Sequence, residues 1–341
     1  MPNIYNFTYE NLEEKLISLG EKKFRTRQIW QWLYEKRVKS FDEMRNLSSE
    51  LISKLKDNFS FDYIEIVTAQ RSDSTNKYLF KLNDGNFIEA VLMKHDYGLS
   101  VCVSSQVGCN MGCAFCESGR LKKVRNLESF EIIEQILLIS EDINERISSI
   151  VIMGIGEPFD NYDNIMRFVK IINCNKGIDI GSRHITISTC GVIPGIKKFM
   201  NEEGQVNLAI SLHAPNDELR SKLMPINKAY HLEELMDTIK EYIAKTNRRV
   251  TFEYIMLENI NDSEKEAEQL VKLLKGINFI QSAVTNILII LVIVAPPRYA
   301  AILIPTDTAV FLATVDNIIA NNKNINISIA LTKLYNTLCI T

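Results

Sequence analysis

The chain has 341 residues, 46% of them hydrophobic and 24% charged, with a formal net charge of −3. That composition suits one large core with a small attached domain, and 14 glycines with 8 prolines exclude a long disordered linker. The near-neutral balance excludes a general nucleic-acid sponge, so any nucleic-acid surface must be local.

The N-terminal stretch MPNIYNFTYENLEEK lacks the basic region and apolar run of a signal peptide. Phe7, Leu12, Leu16 and Leu19 recur at helical spacing, and a second amphipathic segment carries Ile29, Trp30, Leu33 and Tyr34. Residues 1–60 therefore read as a small helical domain. Between residues 20 and 40, seven basic side chains (Lys22, Lys23, Arg25, Arg27, Lys36, Arg37, Lys39) face only Glu21 and Glu35. A solvated helical face is the plain reading; the neighbouring aromatics also suit a phosphate-backbone contact.

Residues 61–98 read as a short β-rich connector with a turn at Asn83-Asp84-Gly85. From residue 99 to 294, short β-rich runs alternate with helical patterns. The runs are 100–104, 149–153, 184–188, 206–212, 250–256 and 287–294, and the helices 130–139, 162–172, 232–244 and 264–274 lie between them. Six β/α units in order predict an α/β fold with a parallel barrel or doubly wound sheet. The longest apolar stretch, Ile287–Ala295, is nine residues and stops at Pro296 and Pro297, whereas a membrane span needs about 20. The expectation is a cytoplasmic protein with no membrane partner.

Of seven cysteines, four crowd into Cys102–Cys116. A secreted disulfide scaffold would be shorter and more evenly stapled. Cys109, Cys113 and Cys116 form C-x3-C-x2-C in the loop after the first barrel strand, where functional loops of such folds lie. Soft thiolates hold iron–sulfur clusters, and three of them leave one iron of a cubane open to S-adenosylmethionine. A structural zinc site is the alternative, but it needs a fourth ligand, and only His213 offers one at a distance.

Met153-Gly154-Ile155-Gly156-Glu157-Pro158 follows the second strand, and its glycines let the backbone approach a ligand closely. Taken alone it is a turn; next to the cysteine loop it suits the amino group of S-adenosylmethionine. Ser188, and Ser211-Leu212-His213, end two later strands, the ends that line a ligand crevice. For His213 a structural role is at least as good a reading.

The segments Cys102-Val-Ser-Ser-Gln-Val-Gly-Cys109, Gly154-Ile-Gly-Glu-Pro158, Ser188-Thr-Cys-Gly191, Ser211-Leu-His-Ala-Pro-Asn-Asp217 and Met224-Pro-Ile-Asn227 resemble the RlmN family. Those radical S-adenosylmethionine enzymes methylate carbon 2 of adenine in large-subunit ribosomal RNA and in some tRNAs. The sister Cfr family acts on carbon 8. The resemblance runs from about residue 10 to about residue 276. It implies a partial (β/α)6 radical SAM barrel at 99–294 and an RNA-binding role for residues 1–60. By matching position it implies a 4Fe-4S cluster on Cys109, Cys113 and Cys116, and S-adenosylmethionine contacts from Gly156, Glu157, Ser188, Ser211, Leu212 and His213. It also makes Glu89 the proton acceptor and Cys102 the resolving thiol; without it, Glu89 reads as a solvent-facing strand residue and Cys102 as a core cysteine.

The chemistry explains the extra thiols. Carbon 2 of adenine is electron-poor and does not attack a sulfonium methyl. In the family a cysteine first receives a methyl group, which loses a hydrogen to a 5′-deoxyadenosyl radical and adds to the ring carbon. A base then removes the ring proton, and a second cysteine releases the product by forming a disulfide. Ribosomal RNA, tRNA and an electron donor such as flavodoxin or ferredoxin are the partners this implies, for a monomer. Lys122, Lys123 and Arg125, beside the cysteine loop, are further candidates for RNA contact.

The chain departs from the family after about residue 277. The sixth strand, Thr285–Leu291, lacks the family's cofactor-contacting asparagine, and residues 295–341 form a diverged tail ending Leu338-Cys339-Ile340-Thr341. Cys339 is the candidate methyl carrier on such a tail. Alternatively the tail is unrelated sequence, and the chain is a methylation-deficient RNA-binding relative. Cys174 and Cys190 read as incidental thiols.

Overall fold

The computed structural model describes residues 1–275, 277, 287–294 and 326–328. By contact the chain divides into two compact units, Met1–Val107 with Val124–Ile185, and Gly108–Lys123 with the chain from Thr186 onward.

The first unit begins with three helices, α1 (Tyr9–Ser18), α2 (Phe24–Tyr34) and α3 (Ser49–Asn58). Thr8 caps α1 by accepting from the Asn11 amide, and Ser48 caps α3 by accepting from Leu51, which satisfies backbone donors that a helix start leaves open. Leu12, Leu16, Ile29 and Leu33 are buried, as their spacing requires. Tyr5, Tyr9, Trp30 and Tyr34 pack as an aromatic cluster, with the Trp30 and Tyr34 rings 4.5 Å apart.

Four strands follow, β1 (Glu65–Arg71), β2 (Thr75–Lys81), β3 (Phe87–His95) and β4 (Gly98–Val103), paired antiparallel in chain order. The β2–β3 turn falls at Asn83-Asp84-Gly85, with Gly85 at φ +85°. A short ribbon, β5 (Gln106–Val107) with β6 (Arg125–Asn126), precedes α4 (Ser129–Ile143) and β7 (Ser149–Ile152). β7 lies parallel to β4, and α5 (Tyr162–Asn173) completes the unit. A capping box fixes the start of α4, with the Glu128 and Glu131 side chains each taking a backbone N–H of the other's end.

In the second unit β8 (Ile185–Thr189), β9 (Asn207–Ser211), β10 (Val250–Leu257), β11 (Ile287–Val294) and β12 (Asn326–Ser328) pair in that order, all parallel. Between them run α6 (Ile193–Phe199), α7 (Asp217–Leu223), α8 (Leu232–Thr246) and α9 (Glu264–Lys275). The molecule is thus of the expected mixed α/β class, with a helical N-terminal segment. Strand and helix bounds agree with the sequence reading to within a few residues. Two helices it did not single out, α6 and α7, are seven residues each, too short to show a full amphipathic period. No helix among the described residues is long and apolar enough to cross a membrane.

Candidate active site

The second unit carries the three-cysteine loop. Cys109, Cys113 and Cys116 form no disulfide among the described residues, and each is half-buried. The loop is tied down by backbone: Cys109 N–H donates to Leu121 O (3.0 Å), Cys116 N–H to Cys113 O (3.1 Å), and Ala114 N–H to Leu223 O at the end of α7 (2.8 Å). Met111, Cys113 and Phe115 pack against a buried cluster of Cys190, Ala214, Leu223 and Met224. Gly108 sits at φ +72°, and a Cβ there would stand 2.2 Å from Lys122 O. Gly108→Ala is therefore expected to destabilise the protein by about 1–3 kcal/mol or more and to lower its iron content after reconstitution. An alanine variant with wild-type thermal midpoint and iron content would contradict this account.

Beneath the loop lies Arg220, which the sequence reading missed. Its guanidinium is fully buried yet has no carboxylate within ion-pair distance among the described residues. It donates instead to Cys190 O (2.7 Å), Leu212 O (3.2 Å), Ser211 O (3.3 Å) and Asn227 Oδ1 (2.8 Å). Burial pushes its pKa down, and Cys190, Cys113 and Asp217 oppose that shift. A buried cation without a counter-ion is costly. Thiolates bound to iron on the loop above would supply that negative charge, so the donor set fits an iron–sulfur cluster. Among the described residues no three ligating side chains converge on a single ion. Thiolates that each hold a separate corner of a cubane need not converge in this way.

Polar groups gather where β8 and β9 end, beside the middle of β10. Ser188 and Ser211 both donate to Glu253 Oε2, each at 2.9 Å. Glu253 is buried, and burial raises its pKa while the two serines pull it back. The sequence shows a carboxylate within the mostly apolar β10 run, but not the two serine partners that give it its role. Leu212 is buried, with its N–H on Glu253 O and its carbonyl on Arg220.

His213 adopts a left-handed backbone (φ 56°), accepts from Ile255 N–H through Nδ1 (3.1 Å), and receives Asn261 Nδ2 at its carbonyl (2.8 Å). Its ring meets that of Phe115, from the cysteine loop, edge to face at 4.8 Å. Burial, reinforced by Arg220, lowers its pKa from 6.5 to about 3, so the ring is neutral with its proton on Nε2. The unfolded chain takes up that proton below pH 6.5 while the folded chain does not until about pH 3. His213 thus contributes nothing to the pH dependence above 6.5 and favours unfolding progressively as pH falls through this window, by about 1.4 kcal/mol per unit. Chemical denaturation of metal-free protein at pH 6 and pH 4 should show a steeper acid loss for wild type than for His213→Asn. Equal losses would refute it.

The first unit places the remaining candidates. Gly154 brings β7 against β4, where a Cβ would meet Val103 O at 2.7 Å. Gly156 has φ +108°, and a Cβ there would run into the Gln106 side chain at 2.6 Å. Glu157 is buried; its N–H donates to Gln106 Oε1 (2.9 Å) and its Oε1 accepts from Phe159 N–H (3.0 Å). On β3 and β4 the buried Ile88, Ala90, Leu92, Val101 and Val103 alternate with half-buried Glu89, Val91 and Cys102. Val91 faces Cys102 across the antiparallel pair, so Glu89 and Cys102 share the more open face of this sheet. Lys77, opposite Val91 on β2, pairs with Glu89 at 2.8 Å, another partner the sequence reading did not foresee.

Arg125, expected to face RNA, is instead tied to Glu131 (2.7 Å) and Asp84 (2.6 Å), a bidentate structural clamp on the start of α4. Cys339 lies outside the described residues. The six described cysteines form no disulfide with one another, and the Cys102–Cys339 disulfide that was expected involves a residue outside the described ones.

Two family profiles match the chain. The radical SAM superfamily matches residues 103–272, and the ribosomal RNA large subunit methyltransferase N-terminal domain matches residues 2–60. The crystal structure of a radical SAM methyltransferase from Sphaerobacter thermophilus superposes with a TM-score of 0.84 at 35% identity, covering 96% of this chain and 95% of that one. Fold and cysteine loop together define a radical SAM protein, a class that uses a 4Fe-4S cluster and S-adenosylmethionine. A probable dual-specificity RNA methyltransferase RlmN of Listeria monocytogenes is 57% identical over 278 residues, 80% of this chain and 76% of its own. Its counterpart in Acholeplasma laidlawii is 55% identical over 276 residues, 81% and 82% of the two chains. The chain belongs to the RlmN family.

Proposed function

We propose that this protein methylates carbon 2 of adenine in 23S ribosomal RNA, and in tRNA, by a radical SAM reaction that passes through a methylated cysteine. The observation that carries the reading is the three-cysteine loop, packed through Cys113 on the cluster beside Arg220, a buried cation with no carboxylate partner among the described residues. Cys109, Cys113 and Cys116 would hold the cluster, which when bound supplies the electron that cleaves S-adenosylmethionine.

The chain's own residues divide the remaining work. Gly156 opens a close backbone approach for S-adenosylmethionine, and Glu157, Ser188, Ser211, Leu212 and His213 stand at the strand ends to orient it. Glu253 fixes both serine hydroxyls, which sets the direction in which their oxygen lone pairs point. Glu89 takes the proton from the adenine ring carbon at a carboxylate oxygen, with Lys77 fixing its position. Cys339 would carry the methyl group that becomes a methylene bridge to the ring carbon; the Cys102 thiolate attacks the Cys339 sulfur, the sulfur–methylene bond breaks, and the released carbon takes a proton to become the new methyl, leaving a disulfide. The sharing of one sheet face by Glu89 and Cys102 supports pairing these two roles. The helical segment 1–60 contributes RNA contacts, and flavodoxin or ferredoxin supplies electrons to the monomer in the cytoplasm.

The test is anaerobic reconstitution with iron and sulfide, then incubation with methyl-labelled S-adenosylmethionine, dithionite and unmodified ribosomal RNA. Mass spectrometry of the digested RNA should show 2-methyladenosine, absent with Cys102→Ala and Cys339→Ala. A carbon 8 product would move the activity to the Cfr type. Formation of 5′-deoxyadenosine with no methylated RNA would refute methylation while retaining the cluster.

A further inference from the structure

A cavity of about 660 Å³ opens in the first unit, lined by none of the residues given catalytic roles above. Arg146 and Ile147, which line it, lead into β7, whereas Gly156 and Glu157 follow the other end of that strand. The opposite wall comes from α2 and the residue pair Glu35 and Arg37 just beyond it, and the floor from the turn after α5.

Four cations line this cavity, Arg27, Arg37, Arg146 and Lys176, against the carboxylates Glu35 and Asp179. None of the four makes an ion pair among the described residues. Three are held by neutral groups instead. Arg37 donates to Ser140 Oγ (3.1 Å) and Leu137 O (3.5 Å), Arg146 donates to Asp179 O (2.7 Å), and Lys176 Nζ stands 3.5 Å from the centre of the Tyr9 ring. These contacts position the cations without neutralising them, and like charges gathered this way repel one another.

A second observation points the same way. Tyr34 forms part of the wall, and its buried hydroxyl has no hydrogen-bond partner. An unmet hydroxyl beside cations without ion-pair partners suits an anion rich in acceptor oxygens. The volume exceeds that of a bare phosphate and falls in the range of small-molecule sites.

We propose that this cavity binds a phosphoryl group and its attached nucleoside, presented by the backbone of the RNA at a distance from the adenine that is modified. The inference rests on RNA being the substrate. The RNA backbone is favoured over a free nucleotide because the same helix, α2, continues the basic surface outward through Arg25 and, just before it, Lys22.

Both tryptophans of the chain, Trp30 and Trp32, lie on α2, so intrinsic fluorescence reports on this wall. Full-length protein is titrated with inorganic pyrophosphate and, separately, with an unmodified ribosomal RNA fragment at several salt concentrations. Wild type is compared with Arg146→Glu/Lys176→Glu and with the milder Arg146→Gln/Lys176→Gln, thermal midpoints confirming that each variant folds. The expected result is saturable quenching by pyrophosphate in wild type only. RNA affinity should fall at least about tenfold in the charge-reversed variant, and the glutamine variant's salt slope should be shallower by about two. Loss of pyrophosphate quenching with unchanged RNA affinity would keep the phosphoryl site and give it to a free nucleotide. Unchanged binding of both probes overturns the proposal. RNA that fails to bind wild type counts against the methylation reading instead, and pyrophosphate then decides the cavity on its own.

Discussion

Cys113→Ala is expected to yield a folded chain that takes up no iron–sulfur cluster. The thiol is half-buried and packs on the edge of a small apolar cluster, so its loss removes few contacts and should cost about 1 kcal/mol, within the usual range for a single substitution. The ligand set, by contrast, is reduced from three thiolates to two. Iron and sulfide per chain should drop to background after reconstitution, and S-adenosylmethionine should no longer be cleaved to 5′-deoxyadenosine in the absence of RNA. Cys190 lies in the cluster against which Cys113 packs, which makes it the described thiol best placed to substitute. The double variant Cys113→Ala/Cys190→Ala closes that route. A full complement of iron and sulfide in the double variant would show that the loop is not the cluster site.

Arg220→Ala should be the most destabilising single change in the second unit. It strips donors from the buried carbonyls of Cys190 and Leu212, the half-buried carbonyl of Ser211 and the Asn227 amide oxygen, and each orphaned buried group costs about 1–3 kcal/mol. Because these acceptors are neighbours, the losses do not add fully, and about 3–5 kcal/mol is expected. Arg220→Lys keeps the charge but loses the planar fork that reaches several acceptors at once, so it should recover only part. Thermal or urea unfolding of both variants measures the effect. A midpoint for the alanine variant within about 2 °C of wild type, where roughly 10 °C is expected, would mean the guanidinium does not organise the strand ends. In reconstituted Arg220→Lys, shifting the cation away from the loop should lower the cluster's reduction potential, readable by redox titration without turnover.

How much of this was legible in the chain alone varied with the range of the signal. Alternating β and helical patterns gave the strands that carry Ser188, Ser211 and Glu253, because period is a local property. The thiolate loop was legible for the same reason, its ligands lying within eight residues. Lys77, Arg220 and Glu253 were missed as site residues because each matters through a partner on another strand or loop, and a single sequence does not display pairing. The register that sets Glu89 and Cys102 on one face likewise needs two strands in place. Arg125 erred in the other direction. A cation beside a functional loop resembles a ligand contact until its carboxylate partners are seen.

The hydrogen bond from Ala114 to Leu223 O has a consequence for how the protein is made. The loop's seat lies 109 residues downstream of the loop itself. At about 5–20 residues per second, translation leaves the three thiols without that seat for roughly 5–20 s after they are synthesised. Cluster insertion that depends on the seated loop must therefore wait until α7 has emerged. During this interval the nascent chain offers clustered, accessible thiols to oxidants and to stray metal ions. Slow elongation, or a pause between residues 116 and 224, would lengthen that exposure and lower the fraction of chains that receive iron.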